Sequence, residues 1–116
     1  MRILVCGGRE YDDWFQFCGW MDAITKKAAP KDITIIQGGA KGADFLARVW
    51  AKYVRINSEE YPANWKKHGK GAGPIRNQKM LDEGKPDVVI AFPGGTGTAD
   101  MVERARKAKV KVIKVM

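Results

Sequence analysis

Three glycine pairs punctuate the 116-residue chain: Gly7-Gly8 after ILVC, Gly38-Gly39 after ITIIQ, and Gly94-Gly95 after VVIAFP. A phosphate needs several donors in a small concave space. Unhindered backbone N–H groups at a helix start supply them, together with the positive end of the helix dipole. In GGTGTAD, Gly94, Gly95 and Gly97 bare the backbone while Thr96 and Thr98 add hydroxyl donors. In GGAKGAD, Gly39 and Gly42 do the same and Lys41 adds a positive charge. Asp44 either caps the following helix or accepts a ribose hydroxyl. A single glycine pair at a strand end is often only a tight turn, but three after three strands point to one shared crevice. The spacing is neither GxGxxG nor GxxxxGK[ST], so neither a standard NAD site nor a P-loop ATPase is supported.

Charged and aromatic side chains flank these turns. Arg9 directly follows Gly7-Gly8, and Arg76 in GPIRNQ opens a helical stretch. A guanidinium fork at either place can pair with a phosphate or with a surface carboxylate, and Asn77 can hydrogen-bond a base or ribose. His68, the one histidine, lies in a basic, glycine-bearing loop with Trp65. It acts as a general acid or base if that loop folds over the crevice, and is otherwise an exposed loop residue. Trp65 either stacks on a base or anchors the loop. Asp100 is a candidate for acid–base work or a ribose contact, or serves the dipole of its helix. Cys6 and Cys18 form no CxxC pair and have no histidine cluster beside them, so they read as reduced structural thiols. No metal and no cofactor are expected.

The 21 basic against 13 acidic side chains give a net charge of +8, which favours anionic ligands. Residues 63–79 carry Lys66, Lys67, Lys70, Arg76 and Lys79 with no acid. That run is either a solubilising face or, with Trp65 interleaved, a groove for single-stranded DNA. No run of about 18 apolar residues occurs, and the first apolar stretch is too short for a signal peptide. The expectation is a soluble, cytoplasmic protein with no membrane partner.

Residues 2–6, 33–36, about 54–58, 88–92 and 110–115 read as strands, and most are short continuous apolar runs, which suits a parallel sheet covered on both faces. Between them, Trp14, Phe17, Met21, Ile24 and Ala28 recur at spacings of three and four, marking a helix that Asp12 or Asp13 can cap. Further helices are expected over residues 43–53, 75–82 and 98–107, with 63–74 as the longest loop. The fold predicted is a single α/β, Rossmann-like domain over residues 1–116, with a sheet of about five mainly parallel strands and helices on both faces.

GGRE after the first strand, GGAKGAD, PANWKKHGKGAGPIRNQKM and FPGGTGTADMV together resemble the YspA-type, YpsA-related branch of the SLOG superfamily. That resemblance covers nearly the whole chain. SLOG domains include LOG-type phosphoribohydrolases, the DNA-processing protein A and proposed sensors of nucleotide-derived signals. The resemblance implies a nucleotide or nucleotide-derived ligand across the glycine turns, with phosphate or ribose near residues 94–98 and Arg76 reaching it. It also implies a homo-oligomer. In LOG enzymes the corresponding motif reads PGGxGTxxE, and the position of its glutamate is Met101 here. Two readings lead, binding of the ligand to sense or sequester it, and LOG-like cleavage of a nucleotide in which Asp100 or His68 replaces that glutamate. Binding of single-stranded nucleic acid is the third.

Overall fold

A computed structural model describes residues 1–116. Five strands, β1 (Arg2–Cys6), β2 (Thr34–Gln37), β3 (Asn57–Glu60), β4 (Val88–Ala91) and β5 (Lys111–Lys114), form one sheet in the order β3-β2-β1-β4-β5. Every pairing is parallel. Five helices complete the fold: α1 (Trp14–Thr25), α2 (Ala43–Tyr53), α3 (Trp65–His68), α4 (Ala72–Gly84) and α5 (Thr96–Lys107). None is long and apolar enough to cross a membrane.

The apolar strands are continuous because the sheet is covered twice. Ile3, Val5, Ile35, Val88 and Ile90 face a core completed by Phe17 and Met21 of α1 and Ala47 and Trp50 of α2. Their neighbours Leu4, Cys6, Ile36, Val89 and Ala91 face the opposite core, closed by Met80 and Leu81 of α4 and Met101, Val102 and Ala105 of α5. Side chains alternate across a strand, so only a run apolar at every position can fill both cores. The amino-terminal edge of the sheet is laced by Arg2, whose guanidinium donates to Gly84 O and Glu59 Oε1, each at 2.6 Å.

Several boundaries differ from the sequence expectation for local reasons. The third strand lies at Asn57–Glu60, later than 54–58, because Val54 and a left-handed Arg55 (φ 60°) close the end of α2 before the chain straightens. Its residues are polar because β3 is an edge strand. The expected loop 63–74 contains α3 and a 3₁₀ turn, Gly69–Gly71. Asn64 starts α3 by accepting the Lys67 N–H at 3.1 Å. Helix α4 begins at Ala72, before the expected 75, since Pro74 is compatible with a first turn, where its missing N–H costs nothing. Helix α5 begins at Thr96 and takes Gly97 into its first turn. Of the two candidate caps for α1, Asp13 is the one used, its Oδ1 accepting the Gln16 N–H at 3.0 Å.

Candidate functional site

Strand order reverses between β1 and β4, where helices diverge to opposite faces and leave a crevice beyond the carboxyl ends of the strands. Gly7-Gly8 and Pro93-Gly94 form its floor. The Gly8 N–H donates to Pro93 O at 2.8 Å, and a Cβ on Gly8 would lie 2.9 Å from that oxygen. The turns therefore meet backbone to backbone. Behind them Phe92 packs on Phe17 (4.7 Å between ring centroids) and Tyr11 (5.1 Å), which fixes the start of the β4–α5 turn against the β1–α1 loop. The crevice encloses about 1080 Å³, at the upper end of small-molecule clefts.

Its most open donor array is the start of α5. Gly95, at the cap position, contributes no side chain to the helix terminus. The N–H groups of residues 94–98 make no hydrogen bond within the chain. Nothing lies within 4 Å of a Cβ placed on Gly95 or Gly97, and neither has a positive φ. Packing does not require these two glycines; their bareness keeps five successive donors accessible. Thr96 and Thr98 line the crevice beside them.

A polar network holds the wall behind the donors. Asn77 is buried, and its Nδ2 donates to Gly97 O at 3.2 Å and to Asp100 Oδ2 at 3.0 Å. Asn77 Oδ1 accepts from Arg76 Nε at 3.2 Å, so the side chain links α4 to the first turn of α5. Asp100 Oδ2 also accepts from Arg104 Nε at 2.8 Å. Burial alone would raise the Asp100 carboxyl, but the hydrogen bonds from Arg104 and Asn77 outweigh it and hold it below its ordinary value. It is a carboxylate at neutral pH, with no proton to give as a general acid.

Arg76 reaches across to the other turn and donates to Gly38 O at 2.6 Å. Burial pulls its guanidinium below its ordinary value, opposed by Asp44 and reinforced by Arg9. Asp44 is buried, and its Oδ2 accepts the Ala40 N–H at 3.2 Å. Burial raises its carboxyl, against the pull of Ala40, Arg76 and Gly38. Both side chains line the crevice while serving the chain's own backbone.

Two of the three glycine turns thus open into the crevice; the third contributes Ala40 and Asp44. Gly38 is covered by Arg76, and Gly42 packs against Gly8 O and Arg9. Gly39, Lys41 and Gly42 line a separate cavity of about 400 Å³ with Arg48 and Glu60. Arg9 lies at the crevice, whereas His68 ends α3 on an exposed surface and does not line it. Glu10, Tyr11 and Lys70 also line the crevice without having been singled out for it. The signal for the first two was their place just after the Gly7-Gly8 turn. Met101 is fully buried in the core between α4, α5 and the sheet.

The family model described as the YspA, cpYpsA-related SLOG family matches residues 1–68. The Gene 61 protein of Mycobacterium phage D29 is 36% identical, over 97% of this chain and 94% of its own length. The structure of a UDP-GlcNAc 2-epimerase from Methanocaldococcus jannaschii superposes with a TM-score of 0.53 at 18% identity, covering 99% of this chain. The chain spans 31% of that enzyme's length, and the likeness is one of fold.

Proposed function

Since the chain belongs to the YspA, cpYpsA-related SLOG family, we propose that it binds a nucleotide or nucleotide-derived small molecule in the β1–β4 crevice, to sense or sequester it. The observation that carries this reading is the row of five unpartnered N–H groups from Gly94 to Thr98 at the positive end of α5. Such a row suits phosphate oxygens, and Arg9 and Arg76 add positive charge to the crevice lining. Gly7, Gly8 and Gly94 bring the two turns together; Gly95, Thr96, Gly97 and Thr98 would touch the phosphate. Asn77 holds α5 in place for it.

Thermal-shift and calorimetric titrations with nucleoside monophosphates and ADP-ribose, each against its unphosphorylated parent, test the reading. Only the phosphorylated forms should stabilise the protein. Gly95→Asp places a carboxylate at the helix cap, where aspartate is favoured, and fills the donors from within. Its stability should stay within about 1 kcal/mol of the native protein while ligand affinity falls at least tenfold. Unchanged affinity in that variant would refute the phosphate assignment.

A second reading, hydrolysis of a nucleotide N-glycosidic bond, draws on Asp100, an ionised carboxylate in the crevice wall. Base release that disappears in Asp100→Asn would establish it, and absence of turnover of the bound ligand would remove it.

A further inference from the structure

Of the aromatic side chains, Tyr11 and Trp65 line the crevice, and Trp65 is the more exposed of the two. It opens α3, a four-residue helix with no buried residue, yet its indole lines the crevice while remaining 48% exposed. Its benzo edge rests on Gly73, where an added Cβ would lie 3.5 Å from the ring. The guanidinium of Arg9 lies over it, 5.4 Å from the ring centroid. A buried anchor would hide its faces; this indole keeps one edge fixed and one face under a long, exposed, rotatable cation.

We propose that this face is the seat of the ligand's nucleobase and that Arg9 is its movable cover. The inference rests on the nucleotide reading above. A base and a guanidinium are both flat and both stack on indole, and the base covers more of it. On binding, Arg9 swings outward and closes on the far side of the base. Gly73 of α4 lies against the ring edge, where even a Cβ would make only ordinary van der Waals contact, and this contact steadies the plane. A nucleobase can arrive on a free nucleotide or on a nucleic-acid strand, and the experiment separates the two.

Calorimetric titration of the full chain compares the four ribonucleoside 5′-monophosphates with ribose 5-phosphate, which has the phosphate and sugar without a base. The native protein should bind the preferred monophosphate about tenfold more tightly or better. Trp65→Ala should erase that difference and leave ribose 5-phosphate affinity unchanged, and Trp65→Phe should keep most of it. Tryptophan fluorescence should be quenched by the monophosphate and not by ribose 5-phosphate, with the quench lost in Trp65→Phe. A single-stranded tetranucleotide that binds more tightly than any monophosphate, with the same Trp65 dependence, supports the seat and assigns its base to a strand. Equal affinity of native protein for monophosphate and ribose 5-phosphate overturns the seat while the phosphate reading stands. Equal weakening of both in Trp65→Ala makes the indole a structural anchor and also overturns it. Binding of none of these probes removes both readings.

Discussion

Residues 38–44 and 94–100 read almost alike, GGAKGAD and GGTGTAD, and the protein uses them in opposite ways. The first turn is filled from within: Arg76 takes Gly38 O, Asp44 takes the Ala40 N–H, and the Ala43 N–H donates to Gly8 O at 3.2 Å. The second leaves its donors unused. A glycine-rich turn before a helix is thus architecture when the protein supplies the partners, and leaves its donors open to a ligand when it does not.

The sharpest way to break this contrast is to add one methyl group to each turn. Gly42 has φ 76°, and a Cβ there would strike Gly8 O and lie 2.6 Å from the Arg9 carbonyl carbon. Gly42→Ala should cost about 3 kcal/mol or more and lower the melting temperature by roughly 10 °C or more in thermal unfolding. Gly97→Ala meets nothing within 4 Å and exchanges a poor helix former for the best one. It should raise the melting temperature by about 2–4 °C while weakening a phosphorylated ligand roughly tenfold. If both variants unfolded at the same temperature, the division into a packed and an open turn would fail.

A smaller effect sharpens the comparison through pH. The Asp100 carboxyl is held below its ordinary value of 3.8, so the stability it contributes is present above that value and lost as pH falls through the lower folded value. The Asp44 carboxyl is raised above 3.8 by burial, so its contribution is complete below that value and fades as pH rises through the folded one. Urea midpoints from about pH 3 to about pH 6 should show Asp100→Asn losing its deficit in acid. Over the same range Asp44→Asn should gain on the native protein as pH rises. Parallel profiles for the two variants would contradict the opposite environments.

The sheet was legible because its order and burial are written in the strands themselves: a run such as ILVC at Ile3–Cys6 has no polar side. The edge strand β3 was less so, since NSEE lacks that pattern and Ile56, the buried residue before it, is still leaving a helix end. At the site, the converging turns at Gly7 and Gly94 followed from parallel strands ending on one side. What distinguished Gly38 from Gly94 did not, because it depends on Arg76 reaching across from α4, a contact 38 residues away in the chain. Loop 63–74 hid a helix for a similar reason: two lysines and a tryptophan show no periodicity over four residues, and the Asn64 cap was the one available sign.

The strand order also dictates when the crevice can exist. Ile3 pairs with Val88, so the central strand made first by a ribosome waits for one of the last to be made. Until β4 docks, β1 offers an unpaired edge that is apolar from Ile3 to Cys6, the kind that recruits other chains, and the long loop that must close slows this docking. Gly8 and Pro93 meet only at that step. A ligand can therefore hold the finished protein together by mass action, but it cannot guide the nascent chain there.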